Sequence, residues 1–234
     1  MNHRPRSRPI VSIDGPAGAG KSTVAKRVAD AVGFVVVDTG ALYRAVALGA
    51  KRAGLAWDDP GAVGAYAQSL IERRDLFFNR DPEGRARVHL SGADVTEAIR
   101  APDIGMGAST VSAHPPVRAA LLDLQRQAGR EGGVVLEGRD IGTVVFPDAE
   151  LKFFLTARAE VRATRRLAEL RAKGVQGTFE QTLEEVVQRD AQDTTRAAAP
   201  LRLAPDAVLI DNSDMTIDAA VARMVERILG WSPP

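Results

Sequence analysis

Short apolar runs alternate with amphipathic stretches along most of the chain, and this alternation predicts strands that alternate with helices. The β-branched run at residues 10–13 and the apolar run at 34–37 are typical of parallel strands buried on both faces. Each is followed by apolar spacing of helical period, at 22–32 and at about 41–53. The order strand, glycine-rich loop, helix, strand, helix predicts an α/β fold with a parallel sheet core flanked by helices.

The same alternation continues in the second half of the chain. It predicts strands at 134–136, 151–155 and 207–210, and helices at about 115–128, 158–173, 178–193 and 216–229. Thr178 and Gln181 have the spacing of a capping box, which favours a helix that begins there.

The pattern changes between residues 57 and 100. Two short strand-like runs, at 76–79 and 85–90, flank the turn-forming sequence Asp81-Pro82-Glu83-Gly84. A further turn is predicted at 90–94, where the second run ends. Because a hairpin interrupts the succession of strand and helix, we interpret this region as an insertion that contains a small β hairpin.

A phosphate-binding motif lies between the first predicted strand and the first predicted helix. Residues 15–22 read GPAGAGKS and match G-x-x-x-x-G-K-[ST] at every fixed position. In such a loop backbone N–H groups surround phosphates, and the positive end of the following helix adds to the attraction. Lys21 would reach the β- and γ-phosphates, and Ser22 would ligate Mg²⁺. The predicted nucleotide-binding set is Gly15, Pro16, Ala17, Gly18, Ala19, Gly20, Lys21, Ser22 and Thr23.

The rest of the sequence narrows the class of nucleotide-binding protein. It has no N-K-x-D guanine motif, as a switch GTPase would, and LSGAD at 90–94 lacks the remainder of the L-S-G-G-Q signature of transport ATPases. No apolar run ends in two acidic residues, as in helicase-type ATPases. These observations favour a small kinase whose acceptor is a second bound molecule. A non-catalytic module that uses a nucleotide as a conformational switch is the alternative from another class.

Composition and charge exclude further classes. The 234-residue chain has 31 basic and 30 acidic residues, and this balance argues against a protein whose whole surface binds nucleic acid. It has no cysteine, so disulfides, thiol catalysis and thiolate metal sites are excluded. No apolar stretch approaches the length of about 20 residues that a membrane span requires.

Arginine dominates the basic residues, since only five of the 31 are lysine. Arg139 follows a predicted strand at its carboxyl end, where open parallel sheets bind ligands, and Arg44 lies one helical turn after Thr39. Two further sets each share a predicted helix face: Arg158, Arg162, Arg165 and Arg166, and Arg189, Asp193 and Arg196. Each arginine alone would fit a surface ion pair. Beside a phosphate-binding loop, they favour a site that neutralises several phosphates.

With these motifs the chain resembles the bacterial cytidylate kinases. The matching stretches are IDGPAGAGKST (13–23), DTGALYRAVAL (38–48), VRAALLDLQR (117–126), EGRDIGTVVFPDAELKFFL (137–155) and QRDAQDTTRAAAPL (188–201). The resemblance extends from about residue 10 to residue 224. The second and fourth stretches are specific to this family, whereas the phosphate-binding loop is shared with many others.

The resemblance implies a fold of the P-loop nucleoside monophosphate kinase type. Its core would comprise residues 1–56, 101–156 and 198–234, its monophosphate-binding insertion 57–100, and its helical lid 157–197. The implied reaction is ATP + CMP or dCMP giving ADP + CDP or dCDP, with Mg²⁺. The implied protein is a cytoplasmic monomer with small nucleotides as partners and with neither nucleic acid nor a membrane. The nearest alternatives are other small P-loop kinases, of the UMP/CMP, adenylate or shikimate type.

The resemblance also assigns roles to individual residues. The acceptor phosphate would be held by Thr39, Arg44, Arg139 and Arg196. The cytosine edge would be recognised by Ser109, Arg118 and Asp140, and the sugar by Arg189 and Asp193. Catalytic charge stabilisation would come from Lys21, Arg139, Arg196, Arg158 and Arg162. Asp140 has a second candidate role, which is to fix Arg139 or Arg118 by ion pairing.

Overall fold

The computed structural model describes residues 6–82, 86–172 and 174–233, and within them the chain forms eight strands and eight α-helices. The strands are β1 (Ile10–Asp14), β2 (Val35–Asp38), β3 (Leu76–Arg80), β4 (Ala86–Leu90), β5 (Ala93–Asp94), β6 (Val134–Gly138), β7 (Leu151–Thr156) and β8 (Val208–Asp211). The helices are α1 (Lys21–Val32), α2 (Gly40–Arg52), α3 (Pro60–Glu72), α4 (Pro102–Ser112), α5 (Pro115–Gly129), α6 (Ala159–Ala172), α7 (Phe179–Thr195) and α8 (Ile217–Leu229).

Five strands form the parallel sheet that the apolar runs predict. Their order is β2-β6-β1-β7-β8, and every pairing is parallel. All five residues of the central strand β1 are buried, as expected where helices cover both faces of a sheet. The predicted α/β class is therefore confirmed.

Alternate residues of β1 contribute to two apolar layers. Val11 and Ile13 pack in one cluster with residues of α1, α8 and β7. Ile10 packs in another, with Leu136 of β6 and with Ile141 of a π-helical segment, Ile141–Val145. This segment directly follows Asp140, and the sequence pattern gave no sign of it.

The predicted hairpin is confirmed and has a third strand. Strands β3, β4 and β5 form an antiparallel sheet in this order. The predicted turn at 90–94 is confirmed as well, since Ser91 and Gly92 have φ angles of +49° and +81° between β4 and β5. Of the other predicted turn, at 81–84, Glu83 and Gly84 lie outside the described residues.

Helices α3 and α4 were not predicted, because glycines interrupt their apolar pattern. These glycines allow α3 and α4 to pack closely against neighbouring side chains. A β-carbon on Gly64 of α3 would lie 2.6 Å from Pro116, and one on Gly107 of α4 would lie 2.5 Å from the Trp57 ring. Helices α2 to α5 and the β3-β4 hairpin thereby share one large apolar cluster. The proposed boundaries of insertion and lid stay predictions.

The ends of the later helices agree with the sequence pattern. Thr178 and Gln181 form both hydrogen bonds of the predicted capping box at the start of α7. Helix α6 extends to Ala172, while Lys173, its predicted last residue, lies outside the described residues. In the described part of the chain, no helix is both long and apolar enough to cross a membrane.

Candidate active site

A cleft of about 250 Å³ lies where β1, β2 and β6 end, at the carboxyl edge of the parallel sheet. Ligands of open α/β sheets bind at this edge. Most of the residues predicted from sequence line it: Ala17, Gly18, Gly20, Lys21, Ser22, Thr23, Thr39, Arg44, Arg118, Arg139, Asp140, Arg189, Asp193 and Arg196. The fold thus brings together residues from five separate parts of the sequence.

The loop between β1 and α1 has the geometry of a phosphate-binding loop. Gly15 has a φ angle of +151°, and a β-carbon there would lie 1.9 Å from the carbonyl oxygen of Leu155. Gly20, with φ +87°, turns the chain into α1, whose first residue is Lys21. Only glycine is compatible with both positions. The free N–H groups at the start of α1 consequently face the cleft end of the loop.

Lys21 lies buried in this loop, and its ammonium group donates to the carbonyl oxygen of Pro16 at 2.8 Å. Burial, with a further contribution from the positive charge of Arg139, lowers the pKa of Lys21 to about 7. The positive charge of Lys21 is therefore poorly compensated by the protein groups around it. An anion in the cleft would stabilise the charge.

Thr39 and Arg44 lie at the start of α2, on the side of the cleft next to β6. The Thr39 hydroxyl donates to the carbonyl oxygen of Glu137 at 2.8 Å, which holds the start of α2 against β6. Arg44 Nη1 lies 2.9 Å from Oδ2 of Asp38, at the end of β2, and both side chains are about one-third exposed. The guanidinium of Arg44 is thus held beside the cleft through one of its nitrogens.

Arg118, Asp140 and Arg196 form a buried cluster at another wall of the cleft. The guanidinium of Arg118 donates to the Asp140 carboxylate, and Arg196 Nη2 lies 3.4 Å from its other oxygen. Arg118 also lies over the ring of Tyr43, with 5.4 Å between the guanidinium carbon and the ring centroid. Burial acts to lower the pKa of Arg118, but Tyr43 and Asp140 raise it above its usual range.

Arg139, Arg189 and Asp193 meet between the sheet and α7. Arg139 Nε donates to Asp193 Oδ2 at 2.7 Å, and Arg196 Nη1 lies 3.7 Å from the other oxygen of the same carboxylate. Burial, reinforced by Arg139, lowers the pKa of Arg189 to about 10. Among the described residues, Nε of Arg189 is a buried donor with no hydrogen-bond partner. A buried and unsatisfied cationic donor of this kind points to a ligand in the cleft.

Six of the predicted residues do not line the cleft: Gly15, Pro16, Ala19, Ser109, Arg158 and Arg162. Ser109 donates to the side chain of Gln192 at 3.1 Å, while its neighbours on α4, Ala108 and Ser112, line the cleft. Arg158 is exposed and pairs with Asp214 at 2.7 Å. The roles assigned to Ser109 and Arg158 stay predictions.

Arg162 is buried against the back of the phosphate-binding loop. Its guanidinium donates to both oxygens of Asp190, at 2.9 and 2.5 Å, and to the carbonyl oxygen of Ala17 at 3.1 Å. Nε donates to the carbonyl oxygen of Ala157. Because these contacts use four of its five N–H donors, Arg162 supports the loop from behind, and a direct contact with phosphate stays a prediction.

Nine of the residues that line the cleft were not predicted as site residues, among them Arg166, Glu169 and Glu137. Arg166 and Glu169 of α6 line the cleft. Arg166 was visible in sequence as part of an arginine-rich helix face, but only the fold directs it inward. Glu137 was visible within the family motif. It lies close to the Ser22 hydroxyl, and burial together with Asp38 raises the pKa of its carboxyl to about 7.

The residues near Ser22 are compatible with Mg²⁺. In the described residues, no group of three or more His, Asp or Glu side chains is placed to hold a metal ion. Mg²⁺ in kinase sites keeps several waters and takes few protein ligands besides phosphate oxygens. The hydroxyl of Ser22 and the carboxylate of Glu137 supply the hard oxygen atoms that this mode requires.

Comparisons with known proteins agree with this geometry. The family model described as cytidylate kinase matches residues 11–229. A cytidylate kinase of Geobacter sp. (strain M21) is 53% identical over 93% of this chain and 91% of its own length. Those of Syntrophotalea carbinolica and Cupriavidus necator are 54% and 50% identical, over 93% of this chain and 90% and 94% of their own lengths.

Among solved structures, an uncharacterized protein from Eubacterium ventriosum matches with a TM-score of 0.50 at 12% identity, over 96% of this chain and all of its own. A shikimate kinase from Acinetobacter baumannii, in complex with shikimate, matches with a TM-score of 0.46 at 15% identity, over 96% of this chain and 94% of its own. At 12% identity, the match to the Eubacterium ventriosum protein supports a similarity of fold alone.

Proposed function

The chain belongs to the cytidylate kinase family, and from this premise we propose how its cleft transfers a phosphoryl group from Mg²⁺-bound ATP to CMP or dCMP. The observation that carries the proposal is the convergence of Lys21, Arg44, Arg139 and Arg196 in one cleft, which the Arg118–Asp140 pair also lines. The four cations suit several phosphates, while the buried pair suits the polar edge of a base.

We place the ATP phosphates on the loop from Gly15 to Ser22. The backbone N–H groups of the loop and the first turn of α1 would surround the β-phosphate, and Lys21 would bridge to the γ-phosphate. Phosphate oxygens near the Lys21 ammonium would offset its burial and return its pKa toward the usual range. Ser22, with Glu137 beside it, would hold Mg²⁺. The ion would supply neutralisation of the charge on the β- and γ-phosphates.

The acceptor would lie on the other side of the cleft. Thr39, Arg44, Arg139 and Arg196 are the proposed ligands of its phosphate. Arg118 and Asp140, with Ser109 nearby, are proposed to bind the cytosine edge. The partners of the sugar are Arg189 and Asp193, and the free Nε of Arg189 supports this assignment.

The reaction requires no general base. The phosphate of a nucleoside monophosphate loses its second proton with a pKa near 6, so at pH 7 its oxygens are already nucleophilic. The chain's contribution is then to align the two phosphates and to stabilise the negative charge between them. Lys21 follows β1 and Arg139 follows the neighbouring strand β6, and because both line the cleft they are suited to this task.

Ion pairs within the cleft would hold the arginines in place before the nucleotides bind. Asp38 holds Arg44, and Asp193 holds Arg139 and approaches Arg196. Burial acts to raise the pKa of Asp193, but the surrounding arginines, Arg139 first, outweigh burial and lower it. The cleft is therefore charged and ordered in advance, which reduces the reorganisation needed in the transition state.

Residues 157–197 are proposed to act as a lid. They include α6 and α7, which carry Arg166, Arg189 and Asp193 to the cleft. Closing these helices over the nucleotides would exclude water, which otherwise competes as the phosphoryl acceptor. We place the reaction in the cytoplasm, where ATP and nucleoside monophosphates are produced, and propose that the chain acts as a monomer.

An acceptor panel tests this function. ADP formation from ATP is measured with CMP, dCMP, UMP, AMP, GMP and shikimate at equal concentrations, with Mg²⁺ present. CMP and dCMP are expected to give the highest rates. A panel in which neither stimulates ADP formation would reject the proposal, and a higher rate with UMP, AMP or shikimate would favour the corresponding kinase type.

A further inference from the structure

Asp14 connects the strand before the phosphate-binding loop to the opposite side of the cleft. It is the last residue of β1, directly before Gly15, and only 4% of it is exposed. Its two carboxylate oxygens accept hydrogen bonds from the backbone N–H groups of Ile141 and Gly142, each at 2.8 Å. One side chain thereby joins two loops that are far apart in sequence.

These N–H groups belong to the first two residues of the π-helical segment Ile141–Val145, and a helix start has no acceptors of its own for such groups. The next bonds are internal, since the carbonyl oxygen of Asp140 accepts from Val144 and Val145, at 2.9 and 3.2 Å. Ile141 and Gly142 are buried, so without Asp14 both N–H groups would be buried and unsatisfied.

The segment held in this way follows directly after Arg139 and Asp140, which line the cleft just beyond the end of β6. Asp140 has φ −144° and ψ 26°, an irregular conformation between the strand and the segment. The directions of both side chains therefore depend on where Ile141 is anchored. Asp14 sets this position relative to Gly15, the first residue of the phosphate-binding loop.

We propose that Asp14 is a positioning residue that holds Arg139 and Asp140, the acceptor side of the cleft, at a fixed place relative to the phosphate-binding loop. This inference rests on the proposed function, in which Arg139 and Asp140 bind the monophosphate. Asp14 does not line the cleft and acts through the backbone of Ile141 and Gly142.

The electrostatic setting agrees with a dedicated role. Burial raises the pKa of Asp14 to about 6, although the two N–H groups and Lys21 act in the opposite direction. A carboxylate buried only for packing would be replaced at lower free energy by an apolar side chain of similar size. The carboxylate has a function that an apolar residue lacks, since it accepts two N–H groups at once.

The test compares Asp14→Asn with Ser12→Ala. Asparagine keeps the size of aspartate but turns an N–H₂ group toward one of the two N–H donors. Ser12 lies two residues earlier on the same strand, close to Gly142, and its buried hydroxyl has no hydrogen-bond partner within the described residues. Both variants therefore change a buried polar side chain beneath the same segment, but only one removes a hydrogen bond.

Steady-state kinetics with ATP and CMP give the readout. Asp14→Asn is expected to raise KM for CMP about tenfold and leave KM for ATP within about twofold, since a lost buried hydrogen bond has an effect of this order. Ser12→Ala should match the wild type. In a background of Asp140→Asn, the further effect of Asp14→Asn on KM for CMP should shrink, because the two residues act through one element.

Three results would overturn the inference: equal loss of affinity for ATP and CMP, equal effects of Ser12→Ala and Asp14→Asn, or full additivity with Asp140→Asn. If Asp14→Asn does not fold by circular dichroism, Asp14→Ser, which keeps one acceptor, takes its place. If neither folds, Asp14 is a folding determinant and the inference is rejected. A wild-type protein without CMP turnover would instead reject the proposed function.

Discussion

The guanidinium of Arg118 on α5 donates to the carboxylate of Asp140, two residues after the end of β6, and both side chains are less than one-tenth exposed. An ion pair this deeply buried requires that each partner be satisfied by the other. Both residues nevertheless line the cleft, so the pair is placed where a bound molecule would contact it. The two roles considered for Asp140, base recognition and ion pairing, are therefore compatible.

Replacing Arg118 by methionine should weaken the binding of CMP far more than the binding of ATP. We expect KM for CMP to rise by about 10- to 100-fold and KM for ATP to stay within about threefold, because a charged hydrogen-bond partner is lost only at the base. Initial rates measured with each nucleotide varied in turn give both constants. Arg130→Met, an exposed change at the C-terminal end of the same helix, is the control. Equal losses for both nucleotides would show that the base site is misplaced.

Lys21→Met should remove turnover while leaving the fold intact. Loss of one preorganised charge at the transferring phosphate typically lowers kcat by about 10²- to 10³-fold. Lys26→Met, on the exposed side of the same helix, should retain full activity. Single-turnover rates measure the loss of catalysis, and CMP binding by calorimetry shows whether the folded protein still binds the acceptor. A Lys21→Met protein with normal kcat would contradict the assignment of the loop to ATP.

The buried carboxyl of Glu137 should impose a pH dependence on stability. Burial and Asp38 raise its pKa to about 7, from 4.5 in an unfolded chain. Between these values the folded protein binds the extra proton, so this group's stabilising contribution is complete below pH 4.5 and is lost as pH rises toward 7. Glu137→Gln should remove that part of the slope of unfolding free energy against pH.

Urea unfolding at several pH values between 4.5 and 7 measures this slope. Glu131→Gln alters an exposed carboxyl before β6 and should leave the slope as in the wild type. If Glu137→Gln and the wild type have the same slope, the Glu137 carboxyl is ionised throughout this range in the folded protein, and the environment described for it is wrong.

Two glycines of α4 provide a matched pair for the packing of the helices. Gly107→Ala should destabilise the protein by about 1–3 kcal/mol, because the new methyl group would press on the Trp57 ring. Gly105→Ala meets nothing within 4 Å and should stabilise it by about 0.5–1 kcal/mol, since alanine favours helix. Thermal unfolding of both variants gives the comparison, and equal shifts would contradict the described contact with Trp57.

The sequence pattern predicts the parallel sheet because each of its strands is a short apolar run with a clear boundary. The predicted phosphate-binding loop is equally visible, since its glycines and Lys21 match every fixed position of a motif with fixed spacing. Helix α4 was missed for a physical reason. Gly105 and Gly107 lower the helix propensity of the segment. Glycine is favourable at position 107 only because the Trp57 ring packs directly against it.

The candidate site was predictable where a single residue carries the signal, as for Arg139 at the end of a strand. Contacts that depend on the fold were not predictable. Asp14 lies 127 residues from Ile141, and nothing local in either segment indicates their hydrogen bond. The same applies to Arg162, whose place behind the loop is set by Asp190 and by the carbonyl of Ala17.

Phosphorus NMR of a mixture of ATP, CMP, Mg²⁺ and the wild-type protein tests the central claim most directly. We expect the signals of CDP and ADP to grow at equal rates while those of ATP and CMP decline, with inorganic phosphate forming much more slowly. Growth of ADP together with inorganic phosphate, and without CDP, would show that water is the acceptor and would contradict phosphoryl transfer to CMP in this cleft.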